Sequence, residues 1–334
     1  MKKVKKVKST PPIIHIPNED QFQLHIALSV TLLRIIHPSS EIKQVPLYTT
    51  KLPDYIIGIH PFQKGKSFMI PNYTVKYPIK RQRNGDYFND NKKCRIPLSL
   101  CGKIFKTFGK SVIQCITGLD INDKRIGVVY ERMYFDWIEI IDAYTFGIVD
   151  SCGVSNKSTL KFNPIGIGLI NVVERYGDNG DVVEQFEKVI ELLKLAVVNY
   201  INYFVFSFFQ GEEVVKEALI NDNYNQILVL DKFVPWKEHL FNLERKGYRK
   251  VLYVVYPDSS NDWRVSAVPI KPSSYESRKK FPNSWRGLEK NVLRETCGIE
   301  DAEFVHSQGF IAGAITKEGC IKLSLLAVKN SVID

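Results

Sequence analysis

Residues 250–268 have the sequence KVLYVVYPDSSNDWRVSAV, and this stretch decides the fold class. Two apolar runs rich in valine and aromatic residues lie on either side of the polar segment PDSSND. Such a pattern predicts two strands that are joined as a β-hairpin. The apolar run QILVL at residues 226–230 predicts a further strand shortly before the hairpin.

Helical and strand patterns alternate in the part of the chain that precedes this hairpin. Short apolar runs predict strands at residues 11–16, 56–59 and 67–70. Apolar residues at helical spacing predict helices over residues 20–36, 98–116, 123–147, 181–209 and 317–331. Because strands that alternate with helices are typical of α/β proteins, we predict an α/β fold.

The cysteines and the apolar segments exclude several classes of protein. The six cysteines form no CxxC pair, which argues against a zinc site. Since no secretion signal is visible, reduced thiols are expected. The longest apolar run, residues 197–209, contains two Asn and is too short to span a bilayer. We therefore expect a cytoplasmic protein with no membrane partner.

Positive charge is concentrated in two segments of the chain. The formal net charge is +10. Residues 64–110 alone hold twelve Lys and Arg against two Asp, and five Lys lie in the first eight residues. A concentrated excess of this kind favours an extended polyanion such as RNA as the partner. The predicted RNA contacts in these segments are Lys2, Lys3, Lys5, Lys6, Lys8, Lys76, Lys80, Arg81, Arg83, Lys92, Lys93 and Arg95.

Four motifs in the C-terminal third carry a resemblance to a known family. They are PWKEHLFNLE (235–244), WRVSAVP (263–269), SYESRKKFPNSWRGL (274–288) and FVHSQGFIAGAITKEG (304–319). In this order they resemble the Myg family, the melanocyte proliferating gene product and its relatives, which are DHH-like metal-dependent phosphoesterases. The resemblance implies an N-terminal domain that holds metal ions and a C-terminal domain that grips nucleic acid.

The resemblance also implies a domain layout. We expect a basic tail at residues 1–10, a degenerate DHH-like domain on a mostly parallel sheet at 11–205, a helical connection at 206–224 and a smaller mixed-sheet domain at 225–334. In the last domain, forked guanidinium groups and glycine-rich backbone are suited to phosphate. The predicted contacts there are Arg264, Arg278, Lys279, Lys280, Arg286, His306 and Gly309. Trp236, Trp263 and Trp285 could stack on bases, although tryptophans of this kind are more often core residues.

The departures from the family pattern fall on its metal-binding positions. The segment FMIPNYTVKYPIKRQRNG (68–85) has Pro-Asn-Tyr where the family has Asp-His-His. A pair of divalent cations needs carboxylates and imidazoles as ligands, and Pro offers none. By the resemblance, the degenerate positions are Asn18, Gln23, His25, Gly58, Pro71, Asn72, Tyr73, Asp142 and Thr145. Asp142 is the carboxylate that survives.

This loss of ligands leads to a functional prediction with two alternatives. We expect a pseudoenzyme with no catalytic residues, no metal and no cofactor, similar to the microsporidian ribosome dormancy factor of the same group. It would bind rRNA and ribosomal proteins near a tRNA site, one copy per ribosome, and inhibit translation by idle ribosomes. The alternatives are an active metal-dependent 3′–5′ exoribonuclease of the same family and an RNA-binding scaffold that does not associate with ribosomes.

Overall fold

The chain divides into two compact units, Met1–Val205 and Phe206–Asp334. The computed structural model describes residues 13–17, 24–45, 55–56, 68–70, 73–75, 87–88, 96–149, 168–169, 172–173, 182–221, 224–258 and 262–330. Helices and strands both occur in each unit, which confirms the predicted α/β class. The DHH-like layout of the domains stays a prediction.

The strands of the N-terminal unit are short, and most of them follow the predicted runs. Strands β1 (Ile13–Pro17), β2 (Glu41–Val45) and β3 (Tyr55–Ile56) form a parallel sheet in the order β2-β1-β3. Strands β4 (Phe68–Ile70) and β5 (Tyr73–Val75) form an antiparallel pair. The sequence EIKQV of β2 contains only two apolar residues, so its pattern gave too weak a signal for a strand to be predicted.

Among the described residues of the N-terminal unit, five helices with given bounds build the core. They are α1 (Leu24–Ile36), α2 (Leu100–Thr117), α3 (Lys124–Met133), α4 (Glu139–Thr145) and α5 (Val182–Asn202). A π-helical turn, Tyr134–Ile138, joins α3 to α4 and interrupts the single helix predicted over residues 123–147. Helix α1 packs against α2 and α5 and is buried from Leu24 to Leu33.

The two buried hydroxyl groups of helix α1 have partners within the helix. The hydroxyl of Ser29 donates to the carbonyl of His25, and that of Thr31 donates to the carbonyl of Ala27. Each bond reaches back four residues, as hydroxyls in helices commonly do. The helix can therefore be buried on nearly every side without unsatisfied hydroxyl groups along these turns.

The helix predicted over residues 181–209 continues into the range of the predicted helical connection at 206–224. A π-helical stretch, Tyr203–Phe208, leads into α6 (Phe209–Asn221). The continuous segment Glu184–Asn221 has 38 residues, and by length and composition it is apolar enough to cross a membrane. This helix is longer than the apolar run 197–209 that it contains. A buried core helix passes the same test, and the expectation of no membrane partner stays a prediction.

A five-stranded mixed sheet organises the C-terminal unit. Its strands are β6 (Ile227–Val229), β7 (Tyr253–Pro257), β8 (Trp263–Ala267), β9 (Ala302–Val305) and β10 (Ile311–Ala314), in the order β6-β7-β8-β10-β9. Strand β6 pairs with β7 in parallel, and the other neighbours are antiparallel. The hairpin predicted from residues 250–268 is confirmed as β7 and β8.

Helices cover both faces of this sheet. Alternate residues of a strand point to opposite faces, and Val254 and Val255 of β7 belong to different apolar clusters accordingly. Helices α6 and α7 (Trp236–Arg245) pack with Val254. Helices α8 (Lys290–Cys297) and α9 (Lys317–Lys329) pack with Val255.

An arginine covers each edge of the sheet. Arg249 donates to the carbonyls of Tyr224, Asn225 and Ile227 beside the edge strand β6. At the opposite edge, Arg294 donates from Nε to the carbonyl of Ala302 at 3.0 Å. Open strand edges invite pairing with other chains, so these contacts protect the sheet from edge-to-edge association.

Gly319, in the first turn of helix α9, lies next to the carboxylate of Asp301, and a substitution there tests this contact. The backbone N–H and hydroxyl of Thr316 both donate to Asp301, and a Cβ at Gly319 would collide with the same carboxylate. We expect Gly319→Ala to lower the free energy of unfolding by about 2 kcal/mol, because the residues around a clash must shift. Gly127→Ala is the matched control, since a Cβ at that helical position meets nothing within 4 Å.

Chemical denaturation of the full chain measures the free energy of unfolding of both variants. Alanine is the better helix former, so the control should be neutral or slightly stabilising. Equal effects of the two substitutions would contradict the role of Asp301 at the start of α9.

Candidate nucleic-acid interface

Arg278 is held by contacts within the C-terminal unit. Its guanidinium donates two hydrogen bonds of 2.6 Å to the carboxylate of Glu244 and one of 2.8 Å to the carbonyl of Val251. It also lies over the ring of Phe241, 4.5 Å from the centroid. The two charged side chains are only 16% and 7% exposed. Arg278 is therefore a structural residue, and it does not supply the forked phosphate donor that the sequence suggested.

Segment 276–286, which contains Arg278, forms most of the wall of a basic cavity. The cavity has a volume of about 310 Å³, and Arg278, Lys279, Lys280 and Arg286 all line it. Among the described lining residues, Glu276 is the acid. The structure thus brings four of the predicted contacts into one small concave surface with an excess of positive charge.

The other three basic side chains of this cavity, beside Arg278, differ in their contacts and in their exposure to solvent. Lys279 donates from Nζ to the carbonyl of Val328 at 2.9 Å, near the end of helix α9. Arg286 donates from Nε to the carbonyl of Phe281 at 2.8 Å. Lys280 is exposed, and its backbone carbonyl accepts from the hydroxyl of Tyr253. The backbone of Lys280 is therefore anchored while its ammonium group faces solvent.

A tight turn at residues 306–309 lies beside this cavity. The N–H of Gly309 donates to the carbonyl of His306 at 2.7 Å, and Gly309 has a φ of +68° that favours glycine. A Cβ there would come within 2.6 Å of Nε of Arg286. The predicted contacts Arg286 and Gly309 are therefore neighbours. The ring of His306 is exposed and lies 4.5 Å from that of Phe310.

Arg264 has acidic partners and does not line the cavity described above. It lies on strand β8, pairs with Asp258 at 2.6 Å and Asp262 at 3.9 Å, and stacks over the ring of Phe304. Two carboxylates thus neutralise its charge. The sequence did not reveal them as partners, because they lie in the hairpin loop and the contact depends on how that loop folds back.

The tryptophans do not form the predicted stacking platform. Trp236 and Trp285 are 3% and 4% exposed, and each belongs to an apolar core cluster. A base cannot reach their faces. Trp263 is half-buried, and the ammonium group of Lys317 lies 5.5 Å from its ring centroid. The core alternative therefore holds for Trp236 and Trp285.

Comparison with known proteins supports the family resemblance. A family model named MYG1_exonuc, described as an uncharacterised protein family (UPF0160), matches residues 81–328. The chain belongs to the MYG1 family. The matched range includes the basic cavity, the turn at residues 306–309 and most of the described helices. No solved structure matches the chain.

Relatives across eukaryotes have the same family name. The MYG1 protein of Dictyostelium discoideum is 32% identical over 245 residues, which cover 71% of this chain and 74% of the relative. The MYG1 protein of Schizosaccharomyces pombe is 32% identical over 267 residues, covering 76% and 80%. The MYG1 exonuclease of Bos taurus is 29% identical over 332 residues, covering 94% and 84%.

These names correct the functional prediction made from the sequence. Relatives from mouse, human and cattle are named exonucleases, and so is the family model. The prediction that the chain is not an enzyme is therefore wrong. The ribosome dormancy role finds no support in these names, whereas the alternative of an exonuclease partly agrees with them.

Three of the positions at which the resemblance implies metal ligands have described side chains. They are His25, Asp142 and Thr145. His25 is buried, and burial lowers its pKa to about 4. The hydroxyl of Thr145 donates to the carbonyl of Ile141. The carboxylate of Asp142 is fully buried, and burial raises its pKa to about 7. Within the described part of the chain, no group of three or more His, Cys, Asp or Glu could hold a metal ion.

A divalent cation does not fit Asp142 in this arrangement. Both carboxylate oxygens already accept hydrogen bonds from the protein, from Ser99 on one oxygen and Tyr134 on the other. Metal binding would have to replace these donors and would require further charged ligands. Asn18, Gln23, Gly58, Pro71 and Asn72 lie outside the described residues, and for Tyr73 only the strand backbone is described.

The other basic residues predicted to contact RNA also lie outside the described part of the chain. Their role stays a prediction. They are Lys2, Lys3, Lys5, Lys6, Lys8, Lys76, Lys80, Arg81, Arg83, Lys92, Lys93 and Arg95.

The structural role of Arg278 gives a direct test. Arg278→Ala leaves Glu244 largely buried without its charged partner, so the free energy of unfolding should fall by about 3 kcal/mol. Lys280→Ala is the control within the same cavity, and it should leave stability unchanged because its ammonium group faces solvent. Denaturant titration of both variants measures the difference. A stable Arg278→Ala protein would show that the ion pair does not hold the segment.

Proposed function

We propose that the chain is an exonuclease that hydrolyses phosphodiester bonds from the ends of nucleic acid strands. The observation that carries this proposal is the similarity to the MYG1 exonuclease of Bos taurus, which extends over 94% of this chain. In the proposed reaction, water adds across a P–O bond. One product then has the phosphate group and the other has a hydroxyl.

The basic cavity of the C-terminal unit supports nucleic acid as the substrate. Lys280 and Arg286 lie in one concave surface of about 310 Å³ next to the turn that contains Gly309. Phosphate oxygens accept hydrogen bonds from ammonium and guanidinium groups, and such charge-assisted bonds are about twice as strong as neutral ones. The cavity would hold a backbone phosphate and position the strand without reading its sequence.

The finer fold assignment belongs to the same proposal. A DHH-like N-terminal domain would contain a parallel sheet, and the parallel pairing of β2, β1 and β3 agrees with this expectation. We propose RNA as the substrate, in keeping with the exoribonuclease alternative that the resemblance implied. The positive charge of segment 64–110 and of the N-terminal lysines supports binding to a phosphate backbone.

The ribosome remains a predicted partner of this RNA-directed protein, and the cytoplasm its predicted location. The concentrated positive charge supports association with a large RNA surface. Sedimentation with ribosomes through sucrose at low and high salt tests the partner. Free protein at the top of the gradient at low salt would contradict it.

The activity test uses end-labelled linear RNA and circular RNA of the same sequence. An exonuclease should shorten the linear strand stepwise and leave the circle intact. Parallel reactions with Mn²⁺ and with EDTA show whether the activity needs a divalent cation. Intact linear RNA under every condition, or cleavage of the circle, would contradict the proposal.

The cavity is tested by removing two of its positive charges. Lys280→Ala combined with Arg286→Ala should weaken RNA binding about tenfold or more, because two charge-assisted bonds to phosphate are lost. The slope of log affinity against log salt should become shallower by roughly 0.7 for each lost contact with a single strand. Lys322→Ala, an exposed lysine on helix α9, is the matched control. If the double variant and the Lys322→Ala control bind RNA with equal affinity and equal salt dependence, the RNA binds outside this cavity.

A further inference from the structure

Asp142 makes a long-range contact with the first turn of another helix. It lies on helix α4 and is fully buried. Its Oδ1 accepts hydrogen bonds from the backbone N–H of Ser99 at 3.0 Å and from the Ser99 hydroxyl at 2.5 Å. Gly102 lies close to the same carboxylate. The two residues Ser99 and Asp142 are 43 positions apart in sequence.

Helix α2 needs this carboxylate because its own sequence supplies no negative charge there. The first N–H groups of a helix have no partner within the helix and carry partial positive charge. Ser99 is the N-cap, and its hydroxyl accepts from the N–H of Gly102 at 3.3 Å. The first turn of α2, Leu-Cys-Gly-Lys at 100–103, contains a lysine and no acid. A positive charge at this end opposes the helix dipole.

The approach of Asp142 to helix α2 depends on the glycine in that turn. A Cβ at Gly102 would lie 2.5 Å and 2.6 Å from the two carboxylate oxygens. Any side chain at this position would push the carboxylate away from the helix end. The hydroxyl of Tyr134 approaches the second oxygen at 3.4 Å and closes the remaining side.

We infer that Asp142 is a remote cap of helix α2, and that this role takes the place of metal binding at this family position. The carboxylate joins α4 to the start of α2 and satisfies donors that the fold buries. Buried donors without partners are costly, so the capping contact stabilises the N-terminal unit. The inference concerns one residue, and it holds whether or not the chain hydrolyses RNA.

Substitution of Asp142 and of its partner tests the cap. Asp142→Asn removes the charge at nearly constant volume and should lower the Tm by about 5 °C. Ser99→Ala should also lower the Tm. The double variant should lose less than the sum of the two, because both substitutions remove the same contact. Additive effects, or an unchanged Tm for Asp142→Asn, would overturn the cap.

Mn²⁺ distinguishes the cap from a metal ligand. The shift in Tm caused by millimolar Mn²⁺ should be the same for the wild-type chain and for Asp142→Asn. Stabilisation by Mn²⁺ that is seen in the wild type and lost in the variant would overturn the inference. This readout does not involve hydrolysis, so failure of the proposed activity would leave it unaffected.

A measurement on the wild-type chain keeps the inference testable if Asp142→Asn does not fold. Paramagnetic Mn²⁺ broadens the NMR signals of nearby nuclei. The N–H of Ser99 bonds to the Asp142 carboxylate and Gly102 lies beside it, so an ion bound to Asp142 would broaden both amide signals. The cap predicts that both signals stay sharp on titration with Mn²⁺. Selective loss of these two signals at low Mn²⁺ would show an ion at Asp142 and contradict the cap.

Discussion

The ion pair between Arg278 and Glu244 is the constraint on which the basic surface of the C-terminal unit depends. Glu244 lies in the last turn of helix α7, and Val251, whose carbonyl accepts from Arg278, comes just before strand β7. The N–H of Arg278 donates to the carbonyl of Val268 just after strand β8. One residue thus ties a helix and two strands to segment 276–286. Because both charges are shielded from water, the loss of either would leave the other uncompensated.

Neighbouring basic residues of segment 276–286 have different roles. Arg278 and Lys279 direct their donors to groups within the unit, whereas Lys280 presents an exposed ammonium group. Arg286, the last residue of the segment, lies against the turn at Gly309. Because the backbone under Lys280 and Arg286 is already fixed by contacts within the unit, phosphate binding does not have to order it, which favours binding. The position of these residues therefore follows from packing, and their chemistry supports the proposed action of this MYG1 family member on nucleic acid.

The sequence predicted the helices and strands better than it predicted the side-chain contacts. The hairpin at residues 250–268 was evident because valine-rich runs flank a polar loop. Strand β2 has little apolar pattern and was missed. The basic residues of segment 276–286 were found from composition and motif. Whether each faces solvent or an acid depends on folded partners such as Glu244 and Asp258, which lie far along the chain or in a loop. Similarly, the motif marked Asp142 as a surviving ligand, and only the fold shows its position at the end of helix α2.

The central claim is that the chain holds RNA at segment 276–286 and the turn at residues 306–309. Photo-cross-linking of the full chain to RNA containing 4-thiouridine, followed by peptide mass spectrometry, locates the contact directly. The account predicts cross-linked peptides that contain Lys280, Arg286 or His306, and a marked loss of these when Lys280 and Arg286 are both alanine. Cross-links confined to other parts of the chain, and unchanged in that double variant, would contradict it.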